Sequence, residues 1–304
     1  MPEVAVFSHP DMLRHRPGEG HPERPARLEA VLDALADAGL GRDRRQAGRV
    51  AAEDLLRVHP QAYLDAVAAA APEKGLTHLD PDTAMSPGSL AAAERACGAA
   101  VEAVRAVASG GLERAFCAVR PPGHHALPST PMGFCIFSNL AVAARVARDE
   151  GFERVAVVDF DVHHGNGTEA VFEGEPGLFF ASIQQFPNWP GSGAAGRRGN
   201  LVNAVAPPGS APQAWRAAFA TLMEPLDSFA PDLILVSAGF DAHARDPLAA
   251  LNLEAEDFAW ATRAVMEVAR RHCGGKVVSS LEGGYDLQAL GLSAAAHVRA
   301  LQEE

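Results

Sequence analysis

Short apolar runs and amphipathic stretches alternate along these 304 residues, and in the second half the alternation becomes regular. The apolar run at residues 4–7 predicts a short strand. A polar loop follows, ending in His21-Pro-Glu-Arg-Pro25, after which Leu28, Val31, Leu32 and Leu35 recur at helical spacing until Gly39 stops the helix. A second helical stretch covers roughly residues 53–70, broken near His59-Pro60, and an Ala-rich helix runs over about 87–108 before Gly110-Gly111. The loop Leu79-Asp-Pro-Asp82-Thr83 lies between them. From there strands are predicted at 115–119, 154–159, 178–182, 232–237 and 276–281, with helices near 139–148, 215–229 and 257–271. Strands alternating with helices imply the α/β class and a parallel sheet, whose functional crevice lies beyond the carboxyl ends of the strands. No linker, low-complexity tract or internal repeat divides the chain, so residues 1–304 read as one domain.

The segments that leave four of these strands carry the chemistry. Residues 115–119 run into Arg120-Pro-Pro-Gly-His124-His125, and 154–159 into Asp159-Phe-Asp161-Val-His163-His164-Gly165. Residues 232–237 run into Ala-Gly-Phe-Asp241, and 276–281 into Glu282-Gly-Gly-Tyr285. In a parallel sheet all four clusters share one edge. Extended backbone alternates its side chains, so Asp159, Asp161 and His163 can point the same way. Two carboxylates and an imidazole on one face need a counter-charge, and Arg154 is the only Lys or Arg nearby, which favours a divalent cation. Asp161, His163 and Asp241 offer three N/O donors with coordination positions left open, which suits a catalytic Zn²⁺ or Fe²⁺ better than a closed structural site. Such an ion acidifies water and polarises a carbonyl while His124 or His125 removes a proton. Tyr285 is placed to donate to the developing oxyanion.

Composition narrows the setting. A hydrophobic content of 48% is ample for a large core. Cys97, Cys117, Cys135 and Cys273 are far apart, with no CxxC pair, which indicates reduced thiols in a cytoplasmic protein. His9, Asp11 and Arg14 break any signal-peptide core, and no run approaches the ~20 apolar residues that a membrane span needs, so no membrane partner is expected. A net charge of −12 argues against nucleic acid as a partner. It favours a cationic substrate, although an acidic balance also serves solubility alone.

Taken together, Arg120-Pro-Pro-Gly-His-His125, the segment from Asp159 to Thr168, Ser237-Ala-Gly-Phe-Asp241 and Glu282-Gly-Gly-Tyr285 resemble the histone deacetylase superfamily. The likeness extends from His21-Pro-Glu-Arg-Pro-Ala-Arg27 to Tyr285 and is nearer the class II and bacterial amidohydrolase branch, acetylpolyamine amidohydrolases included, than class I. It implies the arginase/deacetylase fold, an open, mainly parallel sheet flanked by helices on both faces. It implies a zinc-dependent deacetylase in which Asp161, His163 and Asp241 hold the metal and His125 is general base and acid. His124 becomes an electrostatic partner held by Asp159, and Tyr285 completes the site. Asn166 would orient His125 where class I members have a carboxylate, and a neutral partner raises the imidazole pKa less. A potassium ion is implied beside the metal, bound partly by oxygens of Asp159, Asp161 and His163 and by Ser182.

The same resemblance places Gly133, Phe134 and Trp189 along a narrow tunnel, Leu248 and Asp82 at its rim, and Arg27 beneath the site near a product channel. An apolar tunnel suits the aliphatic stem of an acylated lysine. Gln184 stands where relatives usually have histidine, and Asn188-Trp189-Pro190 replaces a more usual run. Both changes touch the tunnel wall and put substrate range in doubt. The expected substrate is acetyl-lysine in a peptide or protein, with an acetylated polyamine as the alternative; the absence of a glutamate at Leu248 tilts towards the first. An arginase-like dinuclear hydrolase and an inert acyl-amine binding protein are the rival readings. The oligomeric state stays open.

Overall fold

The computed structural model describes residues 3–303. Strand β1 (Ala5–Ser8) leads through a 3₁₀ turn (Pro10–Arg14) into α1 (Ala26–Asp37) and β2 (Arg44–Gln46). Helices α2 (Ala52–Leu55) and α3 (Gln61–Ala70), strands β3 (Thr77–His78) and β4 (Ala84–Met85), and helix α4 (Ser89–Ala108) follow. The second half comprises β5 (Arg114–Cys117), α5 (Asn139–Asp149), β6 (Val155–Asp159), α6 (Asn166–Phe172), β7 (Leu178–Gln185), β8 (Gly196–Arg198) and β9 (Leu201–Ala206). It continues with α7 (Pro212–Ala220), α8 (Met223–Phe229), β10 (Leu233–Ala238), α9 (Ala255–Cys273), β11 (Val277–Leu281) and α10 (Leu287–Gln302).

Nine strands form one sheet in the order β2-β1-β5-β11-β10-β6-β7-β9-β8, parallel at every pairing except β8 with β9. The central strands β5, β11, β10, β6 and β7 are buried at every residue. Runs buried on both faces are what a parallel sheet covered by helices demands. Helix α10 packs on both α1 and α9, while α4 and α5 pair separately, which gives two helical layers around the sheet. No helix among the described residues is long and apolar enough to cross a membrane. All four cysteines are buried free thiols.

The structure departs from the sequence pattern in a few places. The helix expected at 215–229 is two helices, because Pro225 cannot donate to the Thr221 carbonyl and its ring disfavours a continuous helix there. Strand β7 extends to Gln185, which puts Gln184 on the sheet. Strand β9 and helix α10 were not signalled by the periodicity; α10 starts where the Asp286 carboxylate accepts the Ala289 N–H.

Two core histidines couple this fold to pH. His59 donates from Nδ1 to the Pro128 carbonyl (2.9 Å) and accepts the Ser138 N–H at Nε2 (3.0 Å), which fixes the neutral ring. Burial pushes its pKa down to about 4. His297 lies between the Thr262 and Ser279 hydroxyls, and burial pushes it down to about 3. The unfolded chain binds these protons from about pH 6.5 downward and the folded chain does not, so stability falls as pH drops below about 6.5. From pH 7.5 to pH 5 the pair is expected to cost roughly 4 kcal/mol, read as a lower urea midpoint. An unmoved midpoint contradicts their neutral burial.

Candidate active site

Strand β6 delivers Asp159 to the sheet edge and ends there. Asp159 Oδ1 accepts the Asp161 N–H (3.0 Å), and Oδ2 accepts from His124 Nδ1 (3.0 Å). The chain therefore turns at once, and the strand-like alternation anticipated for Asp159, Asp161 and His163 does not continue past Asp159. Asp161 and His163 swing together towards Asp241, which leaves β10, while Asp159 stays behind with His124. One nitrogen or oxygen from each of Asp161, His163 and Asp241 lies within 4.8 Å of the others, and all three residues are buried.

Main-chain donors fix these carboxylates. Asp161 accepts from the His163 N–H (2.9 Å) and the Gly283 N–H (2.8 Å), and Asp241 accepts from the Val162 N–H (2.9 Å). Gly283 is required by the closeness of this packing, since a Cβ there would stand 2.2 Å from Asp241 Oδ2 and 2.6 Å from Asp161 Oδ2. His163 Nδ1 sits between the two carboxylates at 3.2 and 3.0 Å. Burial opposes charging His163, but hydrogen bonds to Asp161 and Asp241 overturn it and hold the imidazolium up to about 10. The ion pairs of Asp161 and Asp241 among the described residues are to imidazoles alone. Two buried carboxylates and an imidazole converging without Lys or Arg fit a divalent cation of the zinc type, held by the three side chains with positions left open.

Around the trio stand groups whose chemistry suits proton transfer. His125 Nδ1 donates to Asn166 Oδ1 (2.8 Å), which leaves Nε2 as the free basic nitrogen. Burial pushes the His125 pKa well below its ordinary value, aided by His124 and His163. His124 behaves oppositely: burial opposes its charge, but Asp161 and Asp159 hold it up to about 10. The Tyr285 phenol is pushed up by burial and stays protonated, as a donor must. A cavity of about 240 Å³ is lined by His125, His163, Tyr285, Gly133, Phe134, Trp189, Asn188, Leu248 and Asp82. Trp189 faces His125 edge-on at 4.6 Å between ring centroids, and Phe134 faces Tyr285 at 5.9 Å.

Arg27 and Ser182, also named from the sequence, lie outside the cavity wall and apart from the trio. Arg27 is buried and donates to the Gly284 (2.6 Å) and Glu282 (2.5 Å) carbonyls, with its guanidinium 4.8 Å from the centre of the Tyr285 ring. Ser182 pairs in register with Asp159 and donates its hydroxyl to Gln184 Oε1 (2.7 Å). Sequence reasoning assigned no role to Glu282 or Asp246. Glu282 Oε2 accepts from the Gly123 (2.7 Å) and His124 (3.2 Å) N–H groups, joining the end of β11 to the loop that carries both histidines. Asp246 accepts from the Tyr285 N–H (2.7 Å) and the Leu248 N–H (3.0 Å), tying the rim to the tyrosine. Glu282 lay inside a motif already singled out, but its partners, more than 150 residues away, leave no local signal.

Residues 21–301 match the histone deacetylase domain family. A histone deacetylase-like amidohydrolase of Pseudomonas aeruginosa is 40% identical over 278 residues, 88% of this chain and 73% of that one. A probable deacetylase of Archaeoglobus fulgidus is 34% identical over 296 residues, 94% of this chain and 82% of that one. The crystal structure of the HDA15 HD domain superposes with a TM-score of 0.92 at 34% identity, covering 99% of this chain and 88% of that one.

Proposed function

The chain belongs to the histone deacetylase family, and we propose that it is a zinc-dependent amidohydrolase that removes acetyl groups from lysine side chains in the cytoplasm. The observation that carries this reading is that His125, His163 and Tyr285 share one aromatic-walled cavity of about 240 Å³, with Asp161 and Asp241 converging on His163 at its base. Zinc, when bound by Asp161, His163 and Asp241, supplies a Lewis acid that acidifies water and polarises the acyl carbonyl.

The chain's own residues do the rest. His125 takes the proton of the attacking water at Nε2 while Asn166 holds the ring through Nδ1. Tyr285 donates its hydroxyl proton in a hydrogen bond to the carbonyl oxygen as negative charge develops there. His124, kept cationic against Asp159, adds positive charge beside the reacting atoms. His125 then returns its proton to the amine nitrogen as the C–N bond breaks. Phe134 and Trp189 wall the approach, and acylation makes the lysine nitrogen neutral enough to pass them. Potassium beside the site would draw on the lone pairs that Ser182 retains after donating to Gln184. Among the described residues one group of three side chains suits a metal, which supports a mononuclear centre over an arginase-like pair.

The exposed Asp82 on the cavity lining and the net charge of −12 favour a second substrate, an acetylated polyamine, whose free amine such a carboxylate would hold. The values of kcat/KM for an acetyl-lysine peptide and for acetylated polyamines decide between them. The peptide is expected to be preferred, and a preference of tenfold or more (about 1.4 kcal/mol) for a polyamine overturns the lysine assignment.

A further inference from the structure

Trp189 poses a mechanical problem. It is 40% exposed, in a loop between β7 and β8 whose residues 186–195 are partly or wholly exposed, yet its ring is held 4.6 Å from His125 and 6.0 Å from His163. Core packing does not hold it there. Two buried polar side chains grip the loop instead, at adjacent residues. His164 Nδ1 meets the Ser192 hydroxyl at 2.8 Å, and Gln184 Nε2 donates to the Gly193 carbonyl.

We propose that Gln184 and His164 form a clamp that sets where Trp189 stands and thereby restricts the site to short acyl groups. Both are positioning residues acting through Trp189, and the inference rests on the acyl-lysine reading above. Each clamp group is locked at its far end. Gln184 Oε1 accepts from the Ser182 hydroxyl (2.7 Å), and His164 Nε2 meets Glu169 Oε2 (3.0 Å), which also accepts from Asn203 Nδ2 (2.6 Å). Gln184 and His164 are 1% and 2% exposed, so neither side chain is free to swing. Gly193 permits the grip: its φ is +79°, and a Cβ there would lie 2.5 Å from both Gln184 Nε2 and the His164 ring. From Gly193 back to Trp189 the loop is a tight turn. Asn188 accepts the Trp189 N–H on its side chain (2.9 Å) and the Gly191 N–H on its carbonyl (2.9 Å). Because His164 adjoins His163, the indole is indexed to the same peptide that carries a candidate metal ligand. The ring closes tightly on the far wall, since a Cβ on Gly133 would stand 2.5 Å from Trp189 Cη2. Loosening the loop therefore widens the site without touching Asp161, His163, Asp241, His125 or Tyr285.

The test uses the zinc-loaded full chain with acetyl-lysine and butanoyl-lysine peptides. In Gln184→Leu the acetyl-over-butanoyl ratio of kcat/KM is expected to fall about tenfold, chiefly through KM, with kcat on the acetyl peptide changed less than about threefold. Ser192→Ala, a solvent-exposed change that frees the other grip, is expected to move the ratio in the same direction and carries the test if Gln184→Leu does not fold. Trp189→Ala alone is expected to lower the ratio as much as Gln184→Leu, and the double variant no further. An unchanged ratio in the folded variants, or additive effects in the double variant, overturns the clamp. Acrylamide quenching of the fluorescence that Trp189→Phe removes reads the loop without turnover. It is expected to rise in Gln184→Leu and Ser192→Ala, and unchanged quenching refutes the clamp even if the wild-type protein proves to hydrolyse no acyl-lysine, a result that would refute only the activity.

Discussion

His125→Ala is expected to lower kcat on an acetyl-lysine peptide by about 10²–10⁴-fold while leaving zinc content at one ion per chain. The magnitude follows from the site's division of labour. Asn166 occupies Nδ1 of His125, so Nε2 is the nitrogen left to take the proton of the attacking water. His124 cannot substitute, because Asp161 and Asp159 hold it up to about 10 against the opposing effect of burial, and a cationic ring has no lone pair to offer at neutral pH. Burial, with the neighbouring His124 and His163, pushes the His125 pKa well below the usual 6.5, so its basic form is already dominant at neutral pH. The wild-type rate should therefore hold level as pH falls through about 6.5 and drop only on further acidification. Tyr285→Phe, which removes one oxyanion donor, is expected to cost about 2.7–4 kcal/mol in kcat. Stopped-time assays of acetate release check both variants, with metal analysis run in parallel. His125→Ala turnover within threefold of wild type would contradict the role given to that ring.

Glu23→Gln is expected to destabilise the fold by about 3–5 kcal/mol, more than an ordinary point substitution. Glu23 is fully buried and takes a two-pronged contact from Arg120, at 2.7 Å to each oxygen. Arg27 Nη1 adds a third contact (3.3 Å) and His15 Nε2 a fourth (3.2 Å). Burial would raise the Glu23 pKa, but Arg120 and His15 outweigh it and hold the carboxyl well below its usual range. Glutamine preserves the shape and removes the charge, leaving two guanidiniums in the core without their carboxylate. Arg120 also donates to the Met12 and His15 carbonyls, and Arg27 to those of Glu282 and Gly284. The strained cluster thus reaches the segment that delivers Tyr285, and kcat should fall together with stability. For a chain of this size the loss corresponds to roughly 5–8 °C in Tm. A Glu23→Gln protein melting within about 1 °C of wild type would contradict the cluster's role.

What the sequence revealed and what it hid divide along physical lines. Parallel strands are buried on both faces, so β5, β6, β7, β10 and β11 stand out as short apolar runs, and their shared direction brings His124, Asp161, Asp241 and Tyr285 to one edge. That inference needs, beyond periodicity, the parallel sheet that alternating strands and helices imply. Alternation alone misplaced Asp159, because it holds only inside a strand and the chain turns at that residue to bond its own carboxylate; the pairing of Asp159 with His124 came from the family resemblance. Pro225 did signal the break between α7 and α8, but the apolar spacing across 215–229 masks it. Glu23, Glu282 and Asp246 are single polar residues that each have a partner far off in sequence, Arg120, Gly123 and Tyr285 respectively. Glu23 and Arg120, for example, are 97 positions apart, and no local pattern records such a contact. Gln184 drew notice only as an unusual residue; its grip on Gly193 becomes visible once β7 is seen to extend through it.

Chelation followed by stepwise return of zinc, monitored as acetate released from an acetyl-lysine peptide, bears most directly on the centre formed by Asp161, His163 and Asp241. Turnover should vanish in the stripped protein and return in proportion to zinc, levelling off at one ion per chain, while Asp241→Ala recovers nothing under the same titration. Full turnover by the stripped protein, or recovery in Asp241→Ala equal to wild type, would contradict the account.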